Sequence, residues 1–291
     1  MTINEAYDIA RAYYDKESPT EEDFFMYTEA LDFLIDSTHD SEYMLDLGSA
    51  YYGRKDFEQA LKYYEMAAEY GNSVAAECLG YVWYYGRTGT KDYKKAFEYF
   101  SRGMELGSPV STYKVADMYK NGYYVEKDYD KYKEMIEALY SQYRHSNRGP
   151  LTDIFTRVAR IRIEDGKIDE ALYLYDRARR LLERRIAGNR FFGDMNVMKW
   201  TIEDIYRHRE FDEYDFDLYD LYYVLTKPNK VSFYYDGNVY EVESLIEDGE
   251  LVIRFEDKWY RTVDDFFKKA MIDGLYLTTI YQELLDFELI D

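Results

Sequence analysis

The chain has 291 residues, with 37 Lys and Arg against 58 Asp and Glu, a formal net charge of −21. That charge repels phosphate at long range and excludes a general binder of nucleic acid or anionic membrane. The one cysteine, Cys78, excludes an intramolecular disulfide. With no 18-residue apolar run and no secretory leader in MTINEAYDIARAYYDK, the sequence reads as a soluble, cytoplasmic protein.

Residues 4–16 and 21–36 read as two helices. Ala6, Ile9, Ala10 and Tyr13 form one apolar stripe, and Phe24, Tyr27, Leu31 and Leu34 form the other. Ser18-Pro19-Thr20 breaks them, and Thr20 with Asp23 fits a capping box. Residues 1–40 are therefore expected to be a divergent N-terminal helical pair, as end units of stacked repeats usually are.

A repeat begins at residue 41. Ala60, Ala96 and Tyr132 are 36 residues apart, and Tyr64, Phe100 and Ile136 keep the same step, as do Gly71 and Gly107. A fixed period of this size marks stacked supersecondary units. Each unit reads as two helices. Gly48, Tyr51 and Tyr52 sit on the first. Ala60, Tyr64, Ala67 and Ala68 sit on the second, as one stripe of a 3.6-residue helix. Gly48, Ala60 and Ala67 let the helix backbones approach while Tyr51 and Tyr64 fill the space beside them. Gly71 can adopt the left-handed conformation that ends a helix.

The wording YYG…D(Y/F)xxA…AxxxG resembles the tetratricopeptide superfamily and, within it, the Sel-one-like branch. Leu47, Gly48, Tyr51, Gly53, Ala60, Tyr64, Ala67, Ala68 and Gly71 carry the first copy. Leu79, Gly80, Tyr84, Gly86, Ala96, Phe100 and Gly107 carry the second, and Ala116, Tyr119, Gly122, Val125, Asp128, Tyr132 and Ile136 a looser third. Residues 41–143 thus hold three such repeats. Residues 144–226 are read as two shorter tetratricopeptide-like units, through Ala159, Ala171 and Ala178 and then Ile202, Tyr214 and Leu221. The last departs from the pattern, with Tyr214 where a small residue is expected. The loop between the two groups falls at Ser141–Leu151, and Ala187-Gly188-Asn189 ends one helix. The resemblance implies a mostly α fold, a right-handed α-α superhelix or solenoid.

At Lys227-Pro228-Asn229 the period changes. Residues 231–242 alternate around Asp236-Gly237, the signature of a tight hairpin. Residues 250–263 read as a second hairpin turning at Glu256–Lys258. A helix over Val263–Ile272, capped by Thr262 with Asp265, and a second over Leu277–Leu285 come next, and FELI reads as an edge strand. Residues 227–291 are expected to form a small α+β domain.

No feature announces a reaction. His39, His145 and His208 have no second histidine at i+3 or i+4, so helix-borne zinc spacing is absent. The phosphate-binding and acyl-transfer motifs GxxxxGK[ST], GxGxxG and GxSxG are missing. Cys78 reads as a small, partly buried residue rather than a reactive thiol. The expectation is no enzyme, no cofactor and no metal.

The resemblance implies a binding role, because the first helices of such stacks line a concave face. In that register the inward candidates are Tyr52, Tyr81, Tyr85, Tyr113 and Lys120, followed by Arg157, Arg160, Lys199, Trp200 and Arg207. Each tyrosine reads equally as packing between repeats, and Trp200 reads as core before contact. The arrangement suits a scaffold or adaptor holding a protein or peptide with aromatic anchors and an acidic stretch. Two other readings stand beside it. The acidity fits a bacterial immunity or anti-toxin protein that sequesters a basic effector. The basic stretch 144–210, with 15 basic and 11 acidic residues, leaves nucleic-acid binding open.

Overall fold

The computed structural model describes residues 1–16, 18–146, 150–188 and 192–290. They divide into two compact units, residues 1–150 and 151–291. Asn147 and Gly149 of the expected loop, and Asn189 after the helix expected to end there, lie outside the described residues.

The first unit is built from helical hairpins in sequence order. Its helices are α1 (Ile3–Tyr14), α2 (Glu21–Thr38), α3 (Ser41–Gly53), α4 (Phe57–Glu69), α5 (Ser73–Tyr85), α6 (Tyr93–Glu105), α7 (Pro109–Asn121) and α8 (Tyr129–Tyr143). Each starts where a short polar side chain can accept from the first turn: Thr2, Thr20, Asp40, Asp56, Asn72, Asp92, Ser108 and Asp128 all do so. Thr20 and Asp23 form the full capping box. Within each hairpin the two helices pack on each other, and each second helix packs on the first helix of the next pair.

The close approach depends on glycine. A Cβ on Gly48 would lie 2.6 Å from the Tyr64 ring, and one on Gly80 would lie 2.4 Å from the Phe100 ring. Tyr64 and Phe100 are both buried, so the repeat pairs a missing side chain on the first helix with a ring on the second. Gly71 and Gly107, at φ +87° and +89°, come after α4 and α6 and turn the chain into the next pair.

A second device joins one repeat to the next. Asn72, the cap of α5, donates from Nδ2 to Glu42 of α3 at 2.8 Å. Ser108, the cap of α7, donates to Glu77 of α5 at 3.0 Å. The same bond thus recurs one repeat later, and it fixes α5 to α3 and α7 to α5.

The second unit opens with α9 (Leu151–Glu164), α10 (Ile168–Gly188) and α11 (Phe192–Tyr206). Here the reading of a fifth two-helix repeat needs correction. The expected second helix through Tyr214 does not form, and helix resumes only as the single turn α12 (Leu221–Val224). Tyr214 is exposed. Two aspartates take local backbone partners instead: Asp212 accepts from the Tyr214 amide at 3.0 Å and Asp217 from the Tyr219 amide at 2.8 Å. Such bonds compete with a helix.

An antiparallel sheet comes next, in the order β4-β3-β2-β1-β7, formed by β1 (Asn229–Tyr235), β2 (Asn238–Glu247), β3 (Glu250–Phe255), β4 (Lys258–Tyr260) and β7 (Leu285–Ile290). Asp236 and Gly237, at φ +44° and +83°, make the first turn as expected. One face buries Val231, Phe233, Val242, Ile253, Phe255 and Phe287. α13 (Val263–Lys269) covers it with Phe266, whose ring meets Phe255 edge-on at 5.7 Å. That helix is shorter than expected because β5 (Met271–Ile272) and β6 (Leu275–Tyr276) form a small hairpin straight after it. The helix expected over Leu277–Leu285 is instead a 3₁₀ turn at Tyr281–Glu283 leading into β7. β7 is an outer strand, as FELI suggested.

Candidate functional site

In the first unit, Gly48 and Gly80 point at the partner helix, so residues on the other side of α3 and α5 turn outward. Ser49 is exposed and Tyr52 half-buried on α3; Tyr81 is half-buried on α5. Tyr85, one turn on, is 47% exposed. The Tyr81 and Tyr85 rings stack at 5.9 Å with 2° between their planes. Beneath them Phe100 meets Tyr81 edge-on at 5.3 Å. Lys114 of α7 places its ammonium 5.0 Å from the Tyr81 ring centroid. The pair is thus an aromatic step propped by Phe100, with Arg87 lying 5.4 Å from the Tyr85 ring centroid and Tyr85 the more exposed of the two.

Tyr113 does not join this face. It is 4% exposed, with its ring packed inside the stack. Lys120 is half-buried and lies over the Tyr132 ring of its own repeat, 5.0 Å from the centroid.

In the second unit the cationic candidates meet carboxylates of the same unit. Arg157 lies 3.5 Å from Asp153 and also donates to its carbonyl at 2.9 Å. Arg160 and Arg207 share Asp204, at 3.0 and 2.7 Å. The Tyr175 hydroxyl donates to Asp204 as well, at 3.0 Å. Lys199 pairs with Asp264 at 3.4 Å. Trp200, read first as core, is instead 53% exposed on α11. The structure therefore brings aromatic residues together on the repeats and matches the arginines internally.

A dense charge centre around Arg179 carries no motif in the sequence. Arg179 of α10 binds Asp220 through two nitrogens at 2.8 and 2.9 Å, Asp217 at 2.6 Å and Glu183 at 3.0 Å. Asp220 also accepts from the Tyr206 hydroxyl at 2.7 Å. This network ties the irregular segment 207–220 to α10. Its sequence signal was present: an acid-rich run from Glu210 to Asp220 facing an arginine-rich helix.

Cys78 of α5 is half-buried, and burial pushes its thiol up to about 11, with the Glu77 charge adding to the shift. A thiol held protonated is a poor nucleophile. Among the described residues, no group of three or more His, Cys, Asp or Glu is arranged to hold a metal ion. No helix among them is long and apolar enough to cross a membrane.

The profile of the Sel1 repeat matches residues 41–72, 75–108 and 109–131. The match covers α3 to α7 and the start of α8. Among solved structures, a Sel1 repeat protein from Oxalobacter formigenes is similar over 70% of this chain and 78% of its own, at 22% identity and a TM-score of 0.52. A protective antigen of uropathogenic Escherichia coli, c5321, described as displaying an SLR fold, is similar over 72% of this chain and 42% of its own, at 17% identity and a TM-score of 0.51. These likenesses are of fold. No curated protein sequence matches the chain.

Proposed function

We propose that this chain, whose residues 41–131 are Sel1 repeats, is a non-catalytic scaffold that holds a protein or peptide partner on the face of its first helices α3, α5 and α7. Repeats of the Sel1 and tetratricopeptide kind generally serve as protein–protein interaction scaffolds. The observation that carries the finer reading is the stacked Tyr81–Tyr85 step, with Tyr85 half-exposed and Tyr52 on the preceding repeat. Tyrosine presents a large contact area with few rotatable bonds, which is why it recurs at the energetic centres of interfaces. A side chain already propped by Phe100 loses little further freedom on binding.

The partner chemistry depends on which groups are exposed. The exposed Tyr85, with half-buried Tyr52 on the preceding repeat, favours a segment with aromatic or aliphatic anchors. Arg157 and Arg160 of α9, and Arg207 just past the end of α11, already face Asp153 and Asp204, so an acidic stretch on the partner gains less from them than their number suggests. The same matching weakens the nucleic-acid reading of residues 144–210, since phosphate would have to displace carboxylates at about 3 Å.

The test is affinity capture from the source cells with the full chain, comparing Tyr52→Ser and Tyr85→Ser with Tyr70→Ser. Tyr70, 55% exposed, caps the end of a second helix. Recovery of the specific partner is expected to fall about tenfold for Tyr85→Ser and to hold for Tyr70→Ser. The opposite order would reject the face.

A further inference from the structure

β7 closes one side of the five-stranded sheet, with β1 on its inner edge. Lys230, Val231 and Ser232 pair with Ile290, Leu289 and Glu288. A register shift comes next, where Asp286 takes φ +53°. The opposite outer strand, β4, is only three residues long, whereas β7 has six. Beside β7 runs a cleft of about 580 Å³ between the strand and segment 213–216. Phe216 rests on Phe287 at its floor, 5.9 Å between ring centroids. Its walls are Glu213, Tyr214, Asp215, Asp286, Glu288 and Leu289.

We propose that β7 is the docking edge for an extended, lysine- or arginine-rich segment of a partner protein, which adds to the sheet as a further strand inside this cleft. An outer strand offers a row of backbone donors and acceptors, and an added strand satisfies them. The cleft gives the added strand a second wall. Charge decides the occupant. Four carboxylates line the site, and among the described residues Asp215, Asp286 and Glu288 form no ion pair, unlike Asp217 and Asp220 close by. A second copy of this chain would bring acid against acid along the same edge, so self-pairing is disfavoured. A basic strand meets opposite charge on both walls. Tyr214, 89% exposed, and Leu289 supply apolar contact between the charges. This edge shares no residue with the Tyr81–Tyr85 step, so a variant of either leaves the other's side chains in place.

The test uses the full chain and a fluorescent peptide of alternating lysine and valine, read by anisotropy at physiological salt. The peptide is expected to bind, and its glutamate–valine counterpart is expected not to. Methylating alternate backbone nitrogens of the lysine peptide should weaken binding about tenfold or more, because strand addition needs those donors. Glu288→Lys with Asp286→Asn should weaken it by a similar factor. Asparagine at 286 keeps a residue that tolerates positive φ. The control Glu58→Lys with Asp130→Asn makes the same change of charge on exposed positions of the first unit and should leave binding unchanged. Equal binding of the methylated peptide, an equal loss in the control, failure of the lysine peptide to bind, or a β7-dependent dimer of the chain alone would each overturn the proposal.

Discussion

The two units hold their helices together by different means. In the first, Gly48 meets Tyr64 and Gly80 meets Phe100, a small residue against a ring, and the caps Asn72 and Ser108 reach back to Glu42 and Glu77. In the second, α10 is joined by charge to the segments after it: Arg179 to Asp217 and Asp220, Arg185 to Asp194 at 2.6 Å. The contrast shows what repetition does. A contact made once per repeat can be shape alone, because its neighbours on either side reproduce it. A contact made once in the chain has no such reinforcement, and here the irregular segment 207–220 is fixed by a bidentate arginine.

The contrast can be broken most forcefully at Arg179. Its side chain is 12% exposed and that of Asp220 only 4%. In Arg179→Met the Asp220 carboxylate stays buried without its counter-charge, and unfolding of the second unit should become easier by about 3–5 kcal/mol. Urea denaturation followed by tryptophan fluorescence would report it through Trp200 and Trp259. A change below about 1 kcal/mol would mean that the network orders the segment without stabilising it.

A smaller effect is expected in the first unit. Gly80→Ala forces a methyl group onto a fully buried Phe100 ring and should cost about 1–3 kcal/mol, beyond the helix propensity that alanine contributes. Gly53→Ala, at the end of α3 with nothing within 4 Å, is the matched comparison and should be neutral or slightly stabilising. Equal effects of the two substitutions on the melting temperature would show that the glycines are not points of helix contact.

The sequence was most readable where positions recur. Gly48 and Gly80, Tyr64 and Phe100, Gly71 and Gly107 each have one physical role, and the 36-residue step exposes it. The turn at Asp236-Gly237 was readable for another reason: few residue pairs accept two successive positive φ values. Elsewhere a correct pattern had a different cause. Leu277, Ile280 and Leu284 are all buried and spaced like a helix stripe, yet a turn and a 3₁₀ segment bury them. The fifth repeat failed at Tyr214, the residue that already broke the pattern. Long-range charge partners such as Arg179 and Asp220 sit 41 residues apart with no recurrence to reveal them. At the candidate site, the burial of Tyr113 depends on how neighbouring repeats close over it, which the pattern within one repeat does not carry.

On this reading the first helices of the repeats carry the partner. Hydrogen exchange of the full chain with and without its captured partner tests this most directly. Slowed exchange concentrated in Ser41–Gly53, Ser73–Tyr85 and Pro109–Asn121 is the predicted result. Slowed exchange confined to the second helices Phe57–Glu69, Tyr93–Glu105 and Tyr129–Tyr143 would contradict it.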